Sequence, residues 1–380
     1  MKDFTFHNPT KLIFGKSALD KIATELKPFG NKVLLTYGKG SIKQAGIYDK
    51  VMQQLQEFTV AEFSGIEPNP RVETLREAIN LGKKFKPDVI LAVGGGSVID
   101  GTKLVVAGIN SELDPWELVL DSNQITSAIP LATVLTVAAT GTEMDAFGVI
   151  TNWEKNEKKA FAHNSVLPVI SFLDPQNTYS VSAIQTAYGI VDIFSHVLEQ
   201  YMTTSTNTDL QNRWSEGILL TLLENAPLVL KNLEDYNSRA NIMLASTMAL
   251  NGLISMGTNQ DWATHDIEHE LSAFYDIPHG LGLAILTPHW LRNIALTQKK
   301  ERLIQYGKRV FNLSGSDNEI AEKAIKATHD FFAGMGITMN LKDISIDTKH
   351  FETMVSRVAG KVGEIPLTKE QVLKILNDSL

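Results

Sequence analysis

The sequence predicts two joined fold classes: an α/β half built on a parallel sheet, then an all-α half. Three observations carry this expectation. Strand-like and helix-like runs alternate up to about residue 181. One apolar strand in that half is broken by three successive glycines, Gly94, Gly95 and Gly96. Beyond Ser182 strand signals nearly vanish while 3.6-residue apolar spacing persists. A chain of 380 residues is also long for one core, so domains are expected at 1–181 and 182–380.

Taken in order, Lys32–Tyr37 is a β-rich run closed by Gly38, and 48–58 has helical spacing. Residues 60–65 read as a strand ended by the turn Glu67-Pro68-Asn69-Pro70. An amphipathic helix is expected at 71–85, a buried strand at 88–93, a helix at 98–109 and a further strand at 129–137. The second half offers helices at Ala183–Tyr201, 210–222, 240–253, 262–274 and 319–334. Ser182 with Gln185 forms a capping-box pattern at the first of these.

Composition narrows the function. Hydrophobic residues at 43% and charged residues at 21% fit a globular protein and argue against disorder. A net charge of -8 makes a nucleic-acid partner an unfavourable reading. No run reaches about 18 apolar residues, and the first residues lack a signal-peptide apolar core, so a cytoplasmic protein without a membrane partner is expected. The absence of cysteine leaves His, Asp and Glu as the only strong metal donors.

Gly94 to Ser97 follows a strand and opens a helix, where backbone can approach a pyrophosphate and free N–H groups face the anion. It is not a Gly-x-Gly-x-x-Gly fingerprint. A second small, hydroxyl-rich loop, Thr136-Val137-Ala138-Ala139-Thr140-Gly141-Thr142-Glu143, follows the next strand and suits the same dinucleotide. A Rossmann-like domain is therefore expected. Its preference follows from Gly38-Lys39-Gly40-Ser41-Ile42-Lys43, which places no acid before Asp49 to take ribose hydroxyls. Two lysines and the Ser41 hydroxyl suit a 2′-phosphate, so NADP is expected over NAD.

Nine histidines occur, and His265, His269, His279 and His289 cluster in one stretch. Asp192 and His196 lie four apart in a strongly apolar helix and share one face. A carboxylate flanked by Val191, Ile193 and Phe194 is costly to bury without a cation. His265 and His269 also share a face, and His279 follows Pro278 at the start of a new helix. Asp192, His196 and two of those three would make an Asp-plus-three-His site suited to Fe²⁺ or Zn²⁺. His7, His163, His289, His329 and His350 read as ordinary polar residues.

On these residues the sequence resembles the iron-dependent (group III) alcohol dehydrogenases, in the branch of butanol dehydrogenases and NADPH-dependent aldehyde reductases. The likeness runs through the chain and is densest at Thr36 to Ser41, Gly94 to Asp100, Ala139 to Met144, Asp192 to Gln200, and Asp261 to His279. It implies a dinucleotide-binding α/β domain and a helical domain, with the site in the cleft between them, and a homodimer. Position by position it makes Asp192, His196, His265 and His279 the metal ligands and His269 a non-ligand facing nicotinamide and substrate. Asp100, in the glycine-loop segment, and Lys158 become cofactor contacts. The expected reaction is hydride transfer between NAD(P)H and a small alcohol or aldehyde, with His269 as the proton-transfer group. Dehydroquinate-synthase-like lyases and glycerol-type dehydrogenases are the rivals; Phe194, Trp262, Phe274 and Tyr275 near the ligand positions favour a weakly polar substrate over the lyases' anionic one.

Overall fold

A computed structural model describes all 380 residues, which divide into two compact units. One comprises His7–Val181 with Leu233–Thr247; the other comprises Met1–Phe6, Ser182–Asn232 and Met248–Leu380.

The first unit is built on parallel strands β1 (Lys11–Phe14), β2 (Lys32–Tyr37), β3 (Thr59–Ser64), β4 (Val89–Gly94) and β5 (Leu131–Leu135). An antiparallel hairpin of β6 (Phe147–Asn152) and β7 (Glu157–Ala162) precedes β8 (Ile170–Leu173). The sheet order is β1-β8-β5-β4-β2-β3. Alternation explains why it is covered on both sides. Val33, Leu35, Val89 and Leu91 enter one core cluster, while Leu34, Ile90 and Ala92 enter the other. The connecting helices α1 (Ile47–Gln54), α2 (Val72–Phe85) and α3 (Gly96–Ile109) shield these faces. β1, β6, β7 and β8 were not expected from sequence, because their short or polar-mixed runs lack a decisive period.

β2 pairs with β3 on one side and with β4 on the other. The chain therefore reverses direction across the sheet between β2 and β4. In open α/β sheets ligands bind beyond the carboxyl ends of strands at such a switch point. Those ends are Tyr37-Gly38 and Gly94-Gly95.

The second unit is helical. α4 (Ala183–Tyr201) is buried on nearly every side over its last four turns, packed by α5 (Asp209–Lys231) and α8 (His279–Trp290). α6 (Tyr236–Leu250) runs from one unit's residues into the other's, and α7 (Ala263–Tyr275) precedes α8. The remaining helices include α9 (Lys300–Arg309), α10 (Asp317–Gly334), α11 (Phe351–Val358) and α12 (Lys369–Asp378). Ser182 Oγ accepts from the Gln185 N–H at 3.4 Å, one half of the capping box. No helix is long and apolar enough to cross a membrane.

Candidate metal centre and dinucleotide loops

α4 carries Asp192, Ser195, His196, Glu199 and Gln200 in its buried stretch, and each polar group there needs a partner. Spacings of four and three place Asp192, His196 and Glu199 on one stripe. α7 crosses with His265, and α8 brings His279 in its first turn. The approach of α8 to α4 requires Gly280, where a Cβ would stand 2.2 Å from the Tyr188 carbonyl oxygen.

The three helices converge on Asp192 Oδ1. His196 Nδ1 lies 3.4 Å from it, His279 Nε2 3.6 Å and His265 Nε2 3.8 Å. Donor atoms of Asp192, His265 and His279 all lie within 4.8 Å of one another. Asp192 Oδ1, His196 Nδ1 and His265 Nε2 are buried with no hydrogen-bond partner. Polar atoms left this way cost free energy, and a shared cation satisfies all of them. The donor set, one carboxylate and three imidazoles, suits Fe²⁺ or Zn²⁺, so these residues fit such an ion.

Behind the cluster lie two carboxylates to which sequence reading had assigned no role. Glu199 meets His265 at Nδ1, and Glu268 meets His279 at Nδ1; both are 1% exposed or less. With Asp192 they place three carboxylates in one buried region, an excess of negative charge that calls for a cation. Burial alone would lower His265, but Glu199 and then Asp192 outweigh it and hold the imidazole up to about 10. Burial would likewise raise Asp192, yet His196, His265 and His279 hold it down to about 2. His196, with burial dominant, is pushed down to about 4.

His269 lies one turn along α7 from His265, half-buried, its ring stacked on His279 at 5.5 Å between centroids. Of the four aromatics expected around the centre, only Trp262 is beside it, 5.3 Å from His265 and 6.0 Å from His196. Trp262 holds a left-handed backbone, φ 64°, a strained state for a bulky residue. Phe194 packs on Phe331 and Phe332 of α10, while Phe274 stacks on His350 and Tyr275 meets the same ring edge-on. Contrary to the expectation from sequence, these three rings pack away from the histidine cluster, because helical phase turns them elsewhere.

In the sheet unit the two small-residue loops touch. Thr136 N–H donates to the Gly94 carbonyl at 3.0 Å. A Cβ on Gly96 would stand 2.6 Å from Thr140 Oγ1, and one on Gly95 3.0 Å from Val137 Cβ. The glycines thus permit this contact as well as close approach of a ligand to the α3 N-terminus at Gly96 and Ser97. Asp100 is buried: Oδ1 accepts from Thr142 Oγ1 at 2.5 Å and Oδ2 from Val149 N–H at 3.0 Å. The fully buried Lys103 ammonium bridges Thr142, Asp145 and the Phe147 carbonyl. Asp100 thus braces the second loop from below, with burial raising its carboxyl to about 6. Lys158 is buried on β7 opposite Thr151.

At the β2 end, Gly38, Gly40 and Ser41 lead into a short helix, Ser41–Gln44, with Lys39 and Ser41 exposed. Lys43 sits over the Tyr48 ring at 4.5 Å and the Tyr37 ring at 5.2 Å. An acid missed in the sequence arrives from the neighbouring strand: Glu62 accepts from the hydroxyls of Tyr37 and Tyr48, each at 2.9 Å.

Residues 9–175 match the model for iron-containing alcohol dehydrogenase, and 186–380 match that for the C-terminal part of the Fe-containing alcohol dehydrogenase family. The chain is 45% identical over its full length, and the full length of the relative, to a probable NADH-dependent butanol dehydrogenase of Bacillus subtilis. It is 43% identical, over 94% of its length and 93% of the relative's, to the NADPH-dependent aldehyde reductase YqhD of Escherichia coli. Among solved structures, NADH-dependent butanol dehydrogenase A of Thermotoga maritima superposes with a TM-score of 0.96 at 36% identity, covering 100% of this chain and 99% of the other.

Proposed function

The chain belongs to the iron-containing alcohol dehydrogenases, and from that premise we propose that it passes hydride between a nicotinamide dinucleotide and a small aliphatic alcohol or aldehyde such as butanol or butanal. The observation that carries the reading is the convergence of buried, partnerless donor atoms on Asp192 Oδ1. Asp192, His196, His265 and His279 would hold one divalent cation, Fe²⁺ or Zn²⁺. Such an ion supplies Lewis acidity, polarising a carbonyl and offsetting charge that develops on the substrate oxygen. His269, stacked against a ligand imidazole without being one, would carry the proton at its ring nitrogen.

The dinucleotide is assigned to the region 1–181 and the cation to 182–380. Gly94, Gly95, Gly96 and Ser97 would cradle the pyrophosphate, with Thr136, Val137 and Thr140 facing it from the next loop and Lys158 as a further contact. Asp100 would act by bracing Thr142 rather than by touching the cofactor. NADPH is the preferred cofactor in this reading, with NADH accepted. Lys39 and Ser41 are exposed at the switch point, and the nearby acid Glu62 is engaged by two phenols. The relatives named above divide between NADH and NADPH. A homodimer in the cytoplasm without a nucleic-acid partner is the proposed setting; light scattering on purified protein tests the assembly.

The direct test is reduction of butanal by purified, metal-analysed protein with each cofactor in turn. Turnover that needs the metal and favours NADPH supports the reading. No turnover of any short aldehyde in metal-replete protein overturns it.

A further inference from the structure

We propose that Glu199 and Glu268 are positioning residues for the metal centre, each gripping one metal-facing imidazole by its far nitrogen. The inference rests on the ligand reading above. Its distinct content is that two residues touching neither metal nor substrate set how tightly the cation is held.

The geometry is a reciprocal weave. His265 stands on α7 and is held at Nδ1 by Glu199 of α4, while its Nε2 faces Asp192. His279 stands on α8 and is held at Nδ1 by Glu268 of α7, while its Nε2 faces the same oxygen. Each imidazole is thus oriented by a carboxylate from another helix, so one rigid arrangement fixes α4, α7 and α8 together. A carboxylate on Nδ1 keeps the proton there and leaves the Nε2 lone pair pointing at the cation.

Each glutamate is itself anchored. Glu199 Oε1 accepts from the Thr264 N–H at 2.5 Å, capping the free first turn of α7 two residues from Trp262. Glu268 Oε1 accepts from the Ser272 hydroxyl, one turn on. α8 leaves room for that carboxylate only through Gly282, where a Cβ would lie 2.6 Å from Glu268 Cγ. Anchoring on both sides, with near-complete burial, is what a pre-set imidazole needs.

Glu268, His269 and His279 also bring donor atoms within 4.8 Å of one another, which raises a second cation there as a rival. Glu268 Oε2 is directed at His279 Nδ1 and Oε1 takes Ser272. His279 presents its other nitrogen to Asp192. The same atoms serve one centre with an outer support.

The experiment is competition between chelator-stripped full-length protein and a chromophoric chelator for Zn²⁺, in wild type, Glu199→Gln and Glu268→Gln. Thermal midpoints are recorded with and without Zn²⁺. Each variant is expected to bind Zn²⁺ about 10–100-fold more weakly, with a smaller Zn²⁺-induced rise in midpoint. Ser272→Ala, which removes only an anchor, is expected to weaken binding several-fold and stands in should Glu268→Gln fail to fold. Zn²⁺ affinity in the variants equal to wild type, or a midpoint lowered equally with and without Zn²⁺, overturns the positioning role. A stoichiometry of two Zn²⁺ in wild type, falling to one in Glu268→Gln, overturns it in favour of the second site. Wild type that binds no Zn²⁺ or Fe²⁺ instead refutes the ligand reading itself.

Discussion

His279 Nε2 stands 3.6 Å from Asp192 Oδ1, although the two residues belong to different helices, and α8 comes this near to α4 at Tyr188 only because residue 280 is glycine. That separation is too long for a hydrogen bond and suits two groups flanking a shared ion. His279→Ala should therefore cost metal and turnover together, lowering metal affinity more than the about 10–100-fold expected of an outer carboxylate. Metal analysis beside an aldehyde-reduction assay checks this; full activity in metal-free His279→Ala protein would contradict it.

His269 shares the ring stack but not the approach to Asp192. For His269→Ala the expectation is wild-type metal content with turnover reduced by about 10²–10⁴-fold, the range of a lost proton-transfer group. Loss of the metal from this variant would make His269 a ligand.

Cofactor choice is testable at the β2 end, though not at Gly40, whose φ of 116° an Asp would adopt only with strain. Ser41 is exposed at the first position of its helix, where an acidic side chain suits the helix start. Ser41→Asp should shift the NADPH-to-NADH ratio of kcat/KM toward NADH by roughly tenfold, the size of one charge-assisted hydrogen bond of about 1.5 kcal/mol. An unchanged ratio would mean that this loop does not read the 2′-phosphate.

Glu143 gives a pH signature in the sheet unit. Burial raises its carboxyl to about 7, with Thr247 donating to it and Asp145 and Lys103 nearby. Since the folded value lies above the unfolded one, the contribution to stability is complete below the unfolded value and is lost as pH rises through about 7. Glu143→Gln should flatten that decline, a difference on the order of 3 kcal/mol between acid and neutral conditions. Denaturant unfolding across this window decides, and parallel profiles for the two proteins would refute the assignment.

Much of this arrangement was legible because periodicity is a property of sequence. Asp192 and His196 four apart, and the glycine break after an apolar strand, needed only helix geometry and the chemistry of buried charge. Glu199 and Glu268 obey the same rule, each three residues beyond a histidine, but a glutamate on an amphipathic helix ordinarily faces water, so spacing alone did not single them out. What lay beyond reach depended on partners distant in the chain. Glu62 comes from the adjacent strand, so a scan for acids after β2 passes over it. Phe194 lies between Asp192 and His196, yet its phase directs it to α10. The strands β1 and β8 pair with each other across more than half of the sheet unit's sequence, and neither run has a period of its own.

The most direct test of the metal centre is anomalous diffraction at the metal's absorption edge from crystals of metal-replete protein. The account predicts one peak per chain, enclosed by Asp192, His196, His265 and His279, with Glu199 and Glu268 on the outer edges of their imidazoles. A peak elsewhere, or one that leaves Asp192 Oδ1 uncoordinated, would contradict it.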